Sequence, residues 1–140
     1  MNAKKITTIM KKYIGIKEVL AKPMTAEVAE VKGYKTNGNA GDGYEIEYKD
    51  GYKSWCPAKT FEKDYSIAET PLDRMALEAY NLGYLIGKLE RFIKEQNNGT
   101  SMVKLSPMHK DLLSIQLHSM NTYCECLTMR IKDVIKNEEE

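Results

Sequence analysis

The chain has 140 residues, 42% of them hydrophobic, and its 21 lysines and arginines against 20 acidic residues leave a formal net charge of +1. This length suffices for a single domain spanning residues 1–140, and the balanced charge argues against a nucleic acid polymer as partner. No apolar run is long enough to cross a bilayer and residues 1–12 lack the apolar stretch of a signal peptide, so we expect a cytoplasmic protein with no membrane partner.

Residues 13–65 are expected to form a β-rich module. Tyr13–Met24 is rich in β-favouring side chains, which predicts a strand that stops at Pro23. Residues 32–42 hold several glycines among polar side chains, which predicts a loop. Residues 58–65 are expected to form a short helix that turns Phe61 inward.

A β-hairpin is predicted around Asp50-Gly51, because this dipeptide supplies the positive φ that a two-residue turn demands. With Asp50 and Gly51 at the centre of the turn, Ile46 opposes Trp55. This register places one mostly aromatic set of side chains on a single face of the hairpin: Tyr44, Ile46, Tyr48, Lys53 and Trp55.

Residues 71–137 are expected to form a helical hairpin. Residues 70–71 are Thr-Pro and residues 106–107 are Ser-Pro, and each pair places a capping hydroxyl before a proline at the first helical position. We therefore predict one helix over residues 71–96 and a second over residues 107–136, separated by the turn residues that follow Gln96.

Each predicted helix carries one apolar ladder in alternating steps of three and four residues. The first ladder is Met75, Ala79, Leu82, Ile86, Leu89 and Ile93; the second is Leu113, Leu117, Met120, Cys124, Leu127, Ile131 and Val134. This spacing is typical of a coiled-coil seam, and two helices alone cannot bury all of their apolar surface, so a β layer or a second subunit is required. The predicted fold class is α+β, with a small N-terminal antiparallel β-sheet followed by a long two-helix antiparallel hairpin.

Catalytic patterns are absent from the sequence, so we expect no enzyme and no catalytic residue. Neither histidine stands in a context that pairs it with a nucleophile, and the glycine-rich loop at residues 38–43 lacks the ending of a phosphate-binding P-loop. Three cysteines and two histidines in no ligand spacing predict no metal site and no cofactor.

Binding of a small, flat anion is better supported. Tyr80 and Tyr84 are four residues apart on the first helix and lie off its ladder, so they make one aromatic patch. The second helix begins with residues 109–111, His-Lys-Asp, where the helix dipole favours an anion. Gly83 and Gly87 leave room for a close neighbour, either a ligand or, as we expect, another helix. The plainer alternative is that the aromatic residues cover or fill a core.

Two stretches of the chain are similar to known bacteriophage proteins. Residues 12–15 and 21–25, followed by residues 43–57, resemble an N-terminal module common in phage accessory proteins. Residues 74–93 and 112–131, with their ladders, resemble the helical hairpin of phage sponges for cyclic nucleotide signals. Over roughly residues 11–135 the combination resembles the first Thoeris anti-defence family, a relative of the anti-CBASS sponge.

This resemblance implies a non-catalytic protein that sequesters cyclic ADP-ribose isomers, the immune signals made by bacterial TIR proteins, in the cytoplasm of an infected bacterium. Some relatives also hold cyclic di- or trinucleotides in separate pockets. The family assembles as dimers that can associate into hexamers, with ligand held between protomers, so a homo-oligomer is implied here as well.

The resemblance also implies site residues. The family stacks the base on an aromatic of the first helix, matched here by Tyr84 or Tyr80, and it uses an Arg-Asp pair and a later arginine near the start of the second helix. The matching positions are Lys110-Asp111 and Ser114, so the guanidinium fork is missing. The predicted ligand-binding residues are Trp55, Tyr80, Tyr84, Lys88, His109, Lys110, Asp111 and Ser114.

A rival interpretation is a protein–protein inhibitor module, in which the aromatic face and the helical seam block a host defence enzyme directly. An enzyme that cleaves the messenger is a weaker third alternative. The sequence leaves open which isomer would be preferred and how many subunits would assemble.

Overall fold

The computed structural model describes residues 9–138. The chain divides into two units, Met1–Tyr65 and Ser66–Glu140. The first unit contains a three-stranded antiparallel sheet and two short helices, and the second contains two long helices. The predicted α+β fold class is confirmed. That the units act as the single domain 1–140, with modules 13–65 and 71–137, stays a prediction.

The sheet has the order β1 (Leu20–Pro23), β2 (Gly43–Glu47) and β3 (Lys53–Pro57). The predicted strand Tyr13–Met24 is therefore correct only in its last part. The register explains why: Leu20 lies opposite Glu47, so four residues earlier Ile16 would lie opposite Gly51, inside the hairpin turn. Beyond that point β2 offers the incoming chain no backbone to pair with.

The loop between β2 and β3 is one residue longer than predicted, which shifts the pairing of the two strands by one residue. The Gly51 N–H donates to the Tyr48 carbonyl (2.9 Å), the Tyr48 N–H donates to the Tyr52 carbonyl (2.8 Å), and Gly51 has φ +89°. These bonds define a three-residue loop in which the glycine takes the left-handed position. Trp55 opposes Glu45, so the predicted pairing of Ile46 with Trp55 is wrong.

The one-residue shift puts Trp55 and Ile46 on opposite faces of the sheet. Trp55 packs with Met24, Ala26 and Ala29 beneath a helix that the sequence analysis did not predict, α1 (Ala26–Val31). The Trp55 indole N–H donates to the Met24 carbonyl at 2.7 Å, which satisfies its one buried donor. The indole ring is therefore part of the core of the first unit.

The other face of the sheet is covered by α2 (Ala58–Asp64), the short helix predicted after β3. Phe61 stacks between Tyr44, with ring centroids 4.3 Å apart, and Tyr65, at 4.9 Å. The Tyr44 hydroxyl donates to the Glu62 carboxylate at 2.9 Å. Phe61 thus turns toward the sheet as expected, and the aromatic stack fixes α2 against β2.

Both edges of the sheet end in a proline. The Met24 N–H donates to the Gly43 carbonyl, and the Ala58 N–H donates to the Asp42 carbonyl. Because successive residues of an antiparallel strand point their backbone groups alternately toward and away from the neighbouring strand, the adjacent Pro23 and Pro57 face away from β2. Proline has no N–H to offer a further strand. Each outer edge is therefore short and is closed at one end.

The second unit consists of α3 (Pro71–Asn98) and α4 (Pro107–Glu138), close to the predicted bounds. Thr70 and Asp73 form a reciprocal capping box at the start of α3, with bonds of 3.0 and 3.1 Å. Gly99, with φ +69°, ends this helix. Helix α3 has 28 residues and so is about 42 Å long, whereas the eight residues between the helices reach at most about 28 Å. Since the helices pack side by side, they must be antiparallel.

The two predicted ladders form the seam between α3 and α4. Leu82, Ile86 and Leu127 are buried together, and Leu127 is only 1% exposed. Four more ladder residues pack against them: Ala79, Leu117, Met120 and Cys124. The faces away from the seam keep several large apolar side chains exposed, including Tyr80, Tyr84, Leu85, Leu112, Ile115 and Met129.

Candidate functional site

The exposed face of α3 carries three of the predicted binding residues, Tyr80, Tyr84 and Lys88, which we call the α3 ledge. Tyr80 is 76% exposed and Tyr84 is 63% exposed, so both rings offer a face to solvent. The Lys88 ammonium lies over the Tyr84 ring, 5.4 Å from its centroid, one helical turn further on. The ledge therefore combines two aromatic surfaces with one cation, which suits a flat anion.

The space beside the ledge is open. A Cβ added at Gly83 or Gly87 would meet nothing within 4 Å. The helix packing expected at these glycines is thus absent among the described residues, although each glycine costs a helix interior about 1 kcal/mol relative to alanine. Arg91 lies seven residues after Tyr84, on the same helical face, and is exposed. This guanidinium is not among the predicted binding residues, although its i to i+7 spacing from Tyr84 indicates that the two share a face.

The other predicted residues lie in the first two turns of α4. His109, Lys110, Asp111 and Ser114 are all exposed. The Ser106 hydroxyl accepts the His109 N–H at 3.1 Å, and the Lys110 N–H donates to the Ser106 carbonyl at 3.1 Å. Since proline at position 107 has no N–H, few backbone donors remain free at this helix start. An anion here would depend mainly on the Lys110 and His109 side chains.

The ledge and the start of α4 are well separated along one hairpin. The α4 residues that pack around the level of Tyr84 run from Leu117 to Leu127. Lys110 precedes Leu117 by seven residues, which is about 10 Å of helix or more. Within one chain, therefore, Tyr84 and Lys110 lie at different levels of the hairpin, at least about 10 Å apart along its axis.

Trp55, the remaining predicted residue, lies in the core of the first unit. It is 7% exposed, and Gly43 on the neighbouring strand leaves the space that its ring occupies. A Cβ at Gly43 would come within 2.3 Å of the Trp55 ring carbon Cζ2. Trp55 therefore fills a core, which is the plainer alternative given above for the aromatic residues.

The described residues show neither a metal centre nor a membrane span. Among residues 9–138, no three His, Cys, Asp or Glu side chains are grouped so that they could hold a metal ion. In the same part of the chain, no helix is long and apolar enough to cross a membrane.

Comparison with known proteins gives one match. Residues 69–133 match the protein family described as Sequestin, a stretch that starts just before α3 and ends within α4. The matched stretch is slightly under half of the chain and holds every predicted binding residue except Trp55. No curated protein and no solved structure matches the chain. The family description indicates sequestration, and it names no ligand.

Proposed function

We propose that this protein is a bacteriophage anti-defence sponge that binds cyclic ADP-ribose isomers in the cytoplasm of the infected host and does not cleave them. The single observation that carries the proposal is the Sequestin match, because it covers the same two helices that bear the α3 ledge and the start of α4. The resemblance of residues 11–135 to the first Thoeris anti-defence family supplies the ligand class. Cyclic di- and trinucleotides are possible further ligands by the same resemblance.

The chemistry of the α3 ledge suits this ligand class. An adenine base can stack on an exposed ring of Tyr84 or Tyr80, and such stacking is typically worth about 1–3 kcal/mol per base. The phosphates of the ligand need cations, and Lys88 and Arg91 lie on or beside the ledge. Arg91 could restore the guanidinium that the start of α4 lacks.

The separation of Tyr84 from Lys110 supports a site between protomers. One hairpin keeps these residues about 10 Å or more apart along its axis, and a second copy that brings its α4 start to the ledge would close this distance around a small ligand. The exposed apolar residues outside the seam provide surface for such an assembly. Homo-oligomerisation as a dimer, or as a hexamer built from three dimers, is therefore part of the proposal.

The direct test is capture followed by release. Purified protein is incubated with cyclic ADP-ribose isomers, the free ligand is separated by ultrafiltration and measured by mass spectrometry, and the protein is then heated. We expect depletion from the filtrate and return of the unaltered isomer on heating. Recovery of ADP-ribose or AMP would identify an enzyme instead. No thermal shift with any cyclic nucleotide would favour the rival protein-blocking module.

Two variants test the placement of the site. Tyr84→Ala and Lys110→Ala should each weaken capture by roughly 10- to 100-fold, the size expected for a lost stacking or charged contact, with the assembly size unchanged. Matched controls are Tyr52→Ala, since Tyr52 is 65% exposed in the first unit, and Lys132→Ala on α4. Normal capture by both site variants would refute this placement.

A further inference from the structure

The segment of residues 9–17 that precedes β1 holds most of the large exposed apolar side chains among the described residues of the first unit. It has no regular structure, and its large apolar side chains are almost fully exposed: Ile9 70%, Met10 96%, Tyr13 87%, Ile14 90% and Ile16 101%. A contiguous run of this kind usually marks a surface that another molecule covers. We call residues 9–17 the docking segment.

The first unit offers the docking segment no cover of its own. The register of β1 places Ile16 level with the turn at Gly51, so the segment runs past the end of the sheet. Within residues 9–138, the backbone of residues 9–16 makes no hydrogen bond to another part of the chain. The Lys17 ammonium lies over the Tyr48 ring, 4.9 Å from its centroid, so the segment contacts the sheet unit only at its end among the described residues. Its large apolar side chains stay exposed in the described part of the unit.

The charge of the docking segment is of one sign. It contains Lys11, Lys12 and Lys17 and no acidic residue. Its end lies beside the hairpin turn, in a surface depression where Lys17 and Lys49 are balanced by Glu18 and Asp50. The excess positive charge is therefore that of Lys11 and Lys12. Two copies of the segment would place lysines against lysines, so pairing with a second copy is disfavoured and an anionic partner is favoured.

The spacing of the residues narrows the partner further. Residues 9–17 are irregular in this structure, but a helix formed over residues 9–14 on a surface would place Ile9, Met10, Tyr13 and Ile14 on one face and Lys11 and Lys12 outside it. A basic, amphipathic segment of this kind is typical of chains that lie in the interface of an anionic bilayer. Such a surface is fluid and needs no fitted groove, and tyrosine is favoured at the headgroup level.

We propose that the docking segment binds the surface of an anionic lipid bilayer, with the isoleucines and Tyr13 in the interface and the lysines against the lipid phosphates. This inference is independent of the proposed sequestering function, whose residues lie on α3 and α4. The sequence analysis expected no membrane partner because no segment can span a bilayer, and a segment that lies on the surface is a different case.

The test is vesicle flotation of the full-length protein. The probes are vesicles of equal parts phosphatidylglycerol and phosphatidylcholine, and vesicles of phosphatidylcholine alone. We expect binding to the anionic vesicles that weakens with added salt. The double variant Lys11→Gln/Lys12→Gln should bind about 30-fold more weakly, because each lysine near such a surface contributes roughly 1 kcal/mol and 1.4 kcal/mol is tenfold.

A control variant separates this site from general charge attraction. Lys132→Gln/Lys136→Gln removes the same charge from α4 and should change binding less than about threefold. Tyr13→Ser/Ile14→Ser keeps every lysine and should also lose most binding, because it removes apolar surface. Equal loss in the control, equal binding to neutral vesicles, or no binding to the anionic vesicles at low salt would each overturn the proposal.

Discussion

Replacing Gly43 by alanine should destabilise the first unit selectively. An alanine Cβ would lie 2.3 Å from Trp55 Cζ2 and 2.5 Å from the Cys56 carbonyl oxygen, so the indole ring or the strand has to shift. The ring cannot shift freely, because it is 7% exposed and its N–H donates to the Met24 carbonyl at 2.7 Å.

The expected size follows from these two constraints. Overpacking a filled core costs about 1–3 kcal/mol, and leaving the buried indole N–H without its acceptor costs a similar amount. Gly43→Ala should therefore lower the free energy of unfolding by about 2–5 kcal/mol. Trp55 is the sole tryptophan of the chain and lies in the first unit, so its fluorescence during urea denaturation reports on that unit alone.

Gly15→Ala is the matched control, because an added Cβ at Gly15 would meet nothing within 4 Å. This variant should keep the wild-type free energy of unfolding to within about 0.5 kcal/mol. If Gly43→Ala also keeps the wild-type midpoint, the packing of Trp55 over Gly43, and the register that produces it, would be refuted.

Two further predictions concern the cores and the pH dependence of stability. Leu127→Ala should cost about 2–5 kcal/mol, seen as a lower melting temperature of the helical circular dichroism signal, whereas Met129→Ala, at a residue 70% exposed, should have little effect. The hydrogen bond from Tyr34 lowers the pKa of Glu45, so the stability it provides is present above the ordinary glutamate pKa and is lost as pH falls below it. Glu45→Gln should therefore reduce the fall of the urea midpoint, followed by Trp55 fluorescence, as pH drops from about 5 to about 3, a range that extends below the ordinary glutamate pKa; an unchanged fall would contradict this.

The long helices could be predicted from sequence because their signals are local and repeated. A capping hydroxyl followed by proline marks each start, and the two helices begin at Pro71 and Pro107 as predicted. The ladders repeat the same spacing over many turns. A repeated pattern still indicates a helix when one position departs from it, and the predictions of both helices and of their seam are confirmed. The exposure of Tyr80 followed from the same periodicity.

The hairpin register could not be predicted, because two turns accept the same dipeptide. A two-residue turn and a three-residue loop both place Gly51 at positive φ, but they shift the pairing of β3 with β2 by one residue. The shift decides whether Trp55 lies on the same face of the sheet as Ile46 or on the opposite face. Packing decides the choice: Trp55 must reach Met24 and α1. Helix α1 was missed although Thr25 caps it at 3.3 Å, because six residues give too short a periodic signal.

The candidate site was partly predictable for a similar reason. Spacing along α3 was enough to place Tyr84 and Lys88 on one exposed face. It could not show that the start of α4 lies far from that face, because this separation depends on how the hairpin is aligned. It also could not show that Trp55 is interior, since that depends on the hairpin register.

The prolines at the sheet borders have a bearing on how much of this protein a cell could hold. Exposed sheet edges can pair with those of neighbouring molecules, and this association grows with concentration. Pro23 and Pro57 each remove one outward-facing amide, at the same end of a sheet only three strands wide, whereas Ala21 on β1 and Trp55 on β3 keep theirs. The two prolines thus shorten the edges on which a neighbouring strand could add.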